Sequence, residues 1–582
     1  MKNTKRFLAM AAALTLTAYV AIPMTSVAAT AATGGSTITI TNNDSATHSY
    51  AAYQIFSGNF SGGTLNSIDW GDGVNGTALL TALQTASAES GNALEGLFPD
   101  TVNSAAKVAE VLGSEEGAPA VAVFGNDSAK AQAFAEIVAA NLTETTSGNP
   151  SANVISQLPD GYYIVMDSEA PANPGTNDNS GAKTRYILRV AGGESVSLTS
   201  KNAAPTVDKQ VADDEGSNPP TWDETADHAI NESFQFKLTA TLTADDNYAA
   251  YNTYRVKFND TLNSGVTYES IESITVNGNI VTEYVAKPDG EDTRSAAQKA
   301  GYIATEPSYT NEVIGGGQLT IEIGDIKQFL GESDWADEDD VTVEVIYNAH
   351  LNKNAAVEND SDDSVAASYD NVNKVNLQYS NNPNVEGSGD TGDTPGDDEN
   401  EEEFGETPDD YVWVFTYEVD NTKLNENDEP MGGAGFTLYS GSTAIKLIDN
   451  GDGTYTVADQ SATTGVVTEM TSRNGSGIFN IKGLDAGIYT LSETNVPDGY
   501  NKCDDITITI DPTHTENTGG ATANLTFTGE HLNNSITNTK GSNLPSTGGM
   551  GTRLFVLGGG ATAALAGIYL VSRRRTKEEL DD

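Results

Sequence analysis

A single cysteine, Cys503, stands in 582 residues. No disulfide can therefore close within the chain, and stability outside a reducing compartment has to come from packing or from some other crosslink. Histidine is nearly as scarce, with five scattered copies and no metal spacing. No Ser/His/Asp elbow, phosphate loop or CxxC pair occurs, so hydrolytic, nucleotide and dithiol chemistry lack their usual residues. Cations are few as well: 30 Lys and Arg face 83 Asp and Glu, a formal charge of −53. That balance disfavours nucleic acid and anionic membrane surfaces as partners and suits a solvated, self-repelling surface. No cofactor or metal is implied.

Long apolar runs occur only at the two ends. Lys2, Lys5 and Arg6 precede an uncharged stretch from Phe7 to about Val27, and the small residues of "VAATAA" offer cleavage near Ala29 or Ala31. This is a secretory signal peptide, residues 1–29. At the other end, Leu554 to Ser572 contains 19 residues without a charge, followed by Arg573, Arg574 and Arg575. The run is long enough to span a bilayer, and the arginines keep the tail cytoplasmic. Just before it lies "LPSTGG", where Pro545 resists regular structure. The protein is expected at the cell surface, tethered at least for a time.

Between these ends, strict alternation dominates: "STITITN", "FQFKLTATLT", "LTIEIG", "VTVEVIY", "DITITI". Many short alternating runs separated by turn residues predict a mainly β chain of tandem Ig-like sandwiches. Helix is expected only around Ala78–Ala88 and Ala129–Asn141. The run from Asn384 to Asp410 is acidic, bears Gly and Pro, and is nearly devoid of apolar residues. It reads as a solvated linker whose carboxylates lack the spacing of a calcium loop. The expected divisions are 33–203, 204–384, a linker at 385–410, 411–540, and a C-terminal segment at 541–582.

Residues i, i+2 and i+4 of a strand share a face. In "PTVDKQV" that rule places Lys209 between Val207 and Val211. In "YRVKFNDTL" it puts Asp260 in step with Phe258 and Leu262, and in "NKVNLQY" it aligns Asn373 with Val375 and Leu377. The third domain repeats the series: Lys423 follows Tyr417 and Val419 in step, Glu493 follows Tyr489 and Leu491, and Asn538 follows Ile536. Unpaired buried charges cost several kcal/mol, so an inward lysine, acid and asparagine demand a reason. Snorkelling lysines and ordinary salt bridges would account for any one of them. Recurrence in the same order in two domains favours chemistry. Burial lowers a lysine pKa and raises that of a carboxylic acid. A neutral amine can then attack the asparagine carbonyl while the acid hydrogen-bonds that carbonyl and shuttles protons, and ammonia leaves.

With these residues in view, the chain resembles a Gram-positive sortase-assembled backbone (major) pilin over nearly its whole length. "LPSTGG", the apolar span and "RRR" resemble the cell-wall sorting signal. "TKLNENDEPMGGAGFTLY" and "YTLSETNVPDGY" resemble the collagen-binding-protein B-type (Cna-B) repeat, the second matching its E-box. "YRVKFNDTL" and "NKVNLQYSNNP" resemble the middle isopeptide-forming fimbrial domain. "SLTSKNAAPTVDK" is similar to the pilin motif region, with Thr199 and Ser200 where that motif carries Tyr-Pro. The resemblance implies Cna-type sandwiches in an elongated rod. It implies a Lys209–Asn373 bond assisted by Asp260, and a Lys423–Asn538 bond assisted by Glu493.

It also implies a sorting motif of Leu544, Pro545, Ser546, Thr547 and Gly548, cut by a pilin-specific sortase after Thr547. The Thr547 carboxyl would then join a lysine of an identical subunit. The further partners implied are minor tip or base pilins, peptidoglycan and a host surface receptor, with no enzymatic activity. Between the two lysines near the pilin motif, strand faces decide. Lys201 shares the polar face of Ser195, Ser197 and Thr199, whereas Lys209 lies on an apolar one. Lys201 is therefore the expected acceptor, and residues 33–200 hang off the path of tension. A monomeric wall-anchored adhesin or minor pilin is the competing reading. A surface hydrolase housed in residues 33–203 is the other, although that region holds one histidine, His48, and no spaced acid pair.

Overall fold

The computed structural model describes residues 35–541 apart from 43–47, 117–120, 126–127, 168–180, 185, 193–194, 201–203, 214–220, 245–247, 249–250, 252, 286–294, 296–300, 331–339, 360–370, 385–403, 517–522 and 528–531. The signal peptide, the sorting motif and the span at 554–572 lie outside these residues. Among the described residues no helix is long and apolar enough to cross a membrane.

Alternation becomes sheet wherever it was read. In Ser233–Leu242, Phe234, Phe236, Leu238, Ala240 and Leu242 are buried while the residues between them are not. Val341–Leu351 repeats the pattern from Val341 through Tyr347 to Leu351. The first domain stacks two four-stranded sheets, one running Val196–Thr199, Ser36–Thr41, Val154–Leu158, Asn149–Ser151 and the other Thr64–Trp70, Tyr50–Ser61, Gly161–Asp167, Ile187–Ala191. Three helices, Gly76–Ala88, Ala105–Leu112 and Ala129–Ala139, pack Leu79, Leu83, Val108 and Phe134 onto the second sheet's outer face through Phe56 and Ile164. Two of these helices were expected. Ala105–Leu112 was not, although its Ser104 cap, which accepts from the Lys107 N–H, and Gly113 at its end are legible signals.

The middle domain packs a six-stranded sheet against a larger one. The first runs Thr221–Asp223, Thr206–Asp213, Ser233–Leu242, Val341–Leu351, Val266–Val276, Asn279–Ile280. The second runs Thr225–Asp227, Asp410–Phe415, Val372–Ser380, Val256–Leu262, Gly317–Ile323, Tyr302–Thr305. The third domain pairs Leu447–Asp449, Thr454–Val457, Asn480–Leu484, Tyr417–Leu424 and Asn533–Thr537 in one sheet. Thr443–Ala444, Gly435–Ser440, Gly487–Asn495 and Ile506–Ile510 form the other.

The boundary between the last two domains differs from the sequence expectation. Phe404–Glu406 and Asp410–Phe415, the end of the expected linker and the start of the expected third domain, both pair with Val372–Ser380. Two carboxylates at the described end of that run are held. Asp409 pairs with Lys374 at 2.6 Å, and Asp410 accepts the Lys209 backbone N–H at 2.6 Å. Asp410–Phe415 then serves two cores by alternation: Val412 and Val414 join the middle core, Trp413 and Phe415 the third. Asn231 Nδ2 also donates to the Val457 carbonyl at 2.8 Å, and the Ile230 N–H donates to Gly483 at 3.0 Å, so the two sandwiches share a bonded seam.

Candidate functional site

Two buried clusters gather the inward polar residues. In the middle domain, Lys209, Asp260 and Asn373 are all fully buried. Asp260 and Asn373 come from adjacent antiparallel strands, with Asp260 opposite Val375 and Asn373 opposite Leu262. They are diagonal neighbours on the inner face. Lys209 reaches them from the opposing sheet. Its Nζ donates to Asp260 Oδ2 at 2.6 Å and to the Tyr347 hydroxyl at 3.2 Å. Phe236 and Tyr347 flank the ammonium, with ring centroids 4.9 and 5.4 Å from Nζ.

Burial governs the electrostatics here. It lowers the Lys209 pKa against the pull of Asp260, and raises that of Asp260 against the pull of Lys209 and Tyr347. Both shifts favour a neutral amine beside a protonated acid. A salt bridge alone does not satisfy the cluster: Asp260 Oδ1 and Asn373 Oδ1 are buried with no hydrogen-bond partner. The acid was expected on the asparagine carbonyl. Instead, Asn373 Nδ2 donates to the Tyr347 hydroxyl at 2.7 Å, and that hydroxyl donates to Asp260 Oδ2 at 2.8 Å.

The third domain builds its cluster differently. Lys423 and Asn538 lie on one sheet, because Tyr417–Leu424 runs parallel to Asn533–Thr537 with Lys423 opposite Ile536. Glu493 projects from the facing sheet, where it pairs with Phe436. All three are buried. Glu493 Oε1 accepts from Asn538 Nδ2 at 2.6 Å, and Oε2 accepts the Cys503 N–H at 2.9 Å. Lys423 Nζ donates to the Leu424 and Ile536 carbonyls, each at 3.0 Å. Burial lowers the Lys423 pKa, with Glu493 and Cys503 opposing that shift. Asn538 Oδ1, like its counterpart, is buried without a donor.

The structure thus brings together all six residues read as inward-facing. Sequence reasoning missed Tyr347, Asp410 and Cys503 as neighbours of these clusters. Tyr347 was within reach of it, since Val343, Val345 and Tyr347 share one face of "VTVEVIY". Lys201, Leu544, Pro545, Ser546, Thr547 and Gly548 lie outside the described residues. Up to Lys201 the strand is as expected: Ser195, Ser197 and Thr199 are exposed, and Val196 and Leu198 are half-buried. Ser200 is buried, and its hydroxyl donates to Thr41 O and Asn42 Oδ1.

Residues 418–523 match the prealbumin-like fold domain SpaA, and residues 536–578 match the LPXTG cell wall anchor motif. The chain is therefore an LPXTG-anchored cell-wall surface protein built from tandem β-sandwiches. No curated protein matches it. Among solved structures it is similar to the full-length major pilin SpaD of Corynebacterium diphtheriae, at 13% identity over 87% of this chain and 98% of that one, with a TM-score of 0.41. It is also similar to the T6 backbone pilin of Streptococcus pyogenes serotype M6, at 15% identity over 87% and 99%, with a TM-score of 0.46. The major pilin BcpA of Bacillus cereus gives 12% over 87% and 99%, with a TM-score of 0.37.

Proposed function

We propose that this chain is the backbone subunit of a covalently polymerised pilus, internally crosslinked by two Lys–Asn amide bonds. The observation that carries this reading is the repeated buried lysine, acid and asparagine in two consecutive domains. Each set ties a strand near the start of its sandwich to one at its end. Lys209 Nζ attacks Cγ of Asn373, and Lys423 Nζ attacks Cγ of Asn538. In each case one C–N bond forms, one breaks, and ammonia departs. Held reactants supply effective molarities of about 10⁵ M or more, so each site reacts once and needs no outside enzyme. Asp260 and Glu493 manage the protons.

Sortase then cleaves between Thr547 and Gly548 and transfers the Thr547 carboxyl to Lys201 of the next subunit. Tension entering at Lys201 and leaving at Thr547 crosses the second and third domains, where both proposed bonds lie. Hydrogen-bonded strands alone would peel under such a load. Minor tip and base pilins, peptidoglycan and a host receptor are the remaining proposed partners.

The test is a wall extract boiled in SDS. A ladder of subunit multiples in the wild type, lost from the wall extract in Thr547→Ala, is expected. A single wall-linked monomer band in the wild type would instead establish a monomeric adhesin.

A further inference from the structure

We propose that Tyr347 is a catalytic residue of bond formation in the middle domain, passing a proton between Asp260 and the departing amide nitrogen of Asn373. The inference rests on the linkage reading above and adds to it a residue, a route and a difference between the two sites. Its basis is one hydroxyl in contact with all three partners. Lys209 Nζ lies 2.6 Å from Asp260 Oδ2, that oxygen lies 2.8 Å from the Tyr347 hydroxyl, and the hydroxyl lies 2.7 Å from Asn373 Nδ2. Each leg is an ordinary hydrogen bond; at rest Nδ2 donates to the hydroxyl and the hydroxyl to Oδ2, and both legs reverse once attack on Cγ makes Nδ2 a tetrahedral, basic amine. Among the described residues no hydrogen bond joins Asp260 to the Asn373 amide directly; the Tyr347 hydroxyl stands between them, the intermediary a short aspartate needs.

Atoms balance along this route. The Nζ lone pair forms a bond to Cγ of Asn373, and Nζ gives up a hydrogen to Asp260. The carboxyl hands a proton to the Tyr347 oxygen as the hydroxyl passes its own hydrogen to Nδ2. The Cγ–Nδ2 bond then breaks, and nitrogen leaves as ammonia carrying the hydrogen from Tyr347, while the hydrogen given up by lysine refills the relay. Asp260 and Tyr347 end as they started. Burial holds the Tyr347 pKa well above its ordinary value, and the adjacent carboxylate adds to the effect, so the residue relays as a neutral hydroxyl. Its ring is fixed for the task, fully buried and packed 5.3 Å from Phe236 and 5.9 Å from Tyr268.

The third domain supplies an internal contrast. Glu493 is one methylene longer than Asp260 and meets Asn538 Nδ2 directly at 2.6 Å. Among the described residues no tyrosine hydroxyl bonds to Glu493 or Asn538, and the geometry needs none. The longer acid does alone what Asp260 and Tyr347 do together.

The test follows both linkages by mass in freshly synthesised full ectodomain. Tyr347→Phe keeps the ring and removes the relay. The middle linkage should form about 10²-fold more slowly or not at all, the size of a lost general acid–base group, while the Lys423–Asn538 linkage forms normally and reports folding. Formation of the middle linkage at the wild-type rate in Y347F overturns the proposal. A hydroxyl that merely positions Asn373 would also lose the linkage, so the double variant Y347F/D260E separates the roles. A glutamate that reaches Nδ2, as Glu493 does, should restore it. A folded double variant that stays unlinked assigns Tyr347 to positioning and overturns the relay. A wild-type middle domain with no linkage refutes the linkage reading itself, a result distinct from any given by the variants.

Discussion

Asn373→Ala isolates the value of the proposed middle crosslink better than a change at Lys209. The Lys209–Asp260 pair at 2.6 Å and the Tyr347–Asp260 hydrogen bond survive it, so no buried charge is stranded. The proposed bond it would remove closes a loop of 373 − 209 = 164 residues. Loop-closure arithmetic of the kind used for disulfides sets its worth at about 5 kcal/mol, and the small cavity adds about 1 kcal/mol. For a domain of this size each kcal/mol moves the melting temperature by about 2–4 °C, so the sum of about 6 kcal/mol should lower the middle transition by about 12–24 °C. Differential scanning calorimetry of the ectodomain reads this directly, with the third-domain transition as reference. A middle transition within about 2 °C of the wild type would refute the reasoning, because the lost side chain alone accounts for a shift of that size.

Glu493→Ala should leave Lys423 and Asn538 unlinked, since Oε1 is the group on the amide nitrogen. Once the substitution itself is allowed for, intact mass should rise by one ammonia, trypsin should enter the third domain, and the Lys209–Asn373 linkage should be unaffected. Cys503 should resist alkylation: burial, then the Glu493 carboxylate, push its thiol up from 9.0 to about 11. A raised thiol pKa means less thiolate, so at pH 8 iodoacetamide should react about 100-fold more slowly with the folded protein than with the unfolded chain, and the gap should close as pH rises towards 11. Equal rates at pH 8 would contradict the described surroundings of Cys503. Lys201→Ala should abolish the polymer ladder while leaving export and both internal linkages intact; a persisting ladder would move the acceptor to another lysine.

Strand alternation made both clusters legible, because a period of two fixes which face each side chain takes before any partner is known. Lys209, Asp260, Asn373, Lys423, Glu493 and Asn538 all follow from it. Alternation does not say which strands become neighbours. Tyr347 could be read as buried but not as the residue lying between Asp260 and Asn373, since that depends on Val341–Leu351 facing Val256–Leu262 across the core. The geometry of the two triads was hidden for the same reason: Lys209 and Asn373 sit on opposing sheets, Lys423 and Asn538 on one. Composition misled at 404–410, where acidic residues suggested solvent, and 411–415 was assigned to the third domain alone. Asp409 and Asp410 are consumed by Lys374 and the Lys209 backbone, and "YVWVF" was already alternating towards two cores.

Everything proposed for this chain depends on buried lysines being joined covalently to asparagines within the second and third domains. Tandem mass spectrometry of a complete proteolytic digest of the folded ectodomain tests it most directly. Two branched peptides are expected, one joining Lys209 to Asn373 and one joining Lys423 to Asn538, each lighter by one ammonia than its two linear parts. Recovery of all four residues only in unbranched peptides of full mass would contradict it.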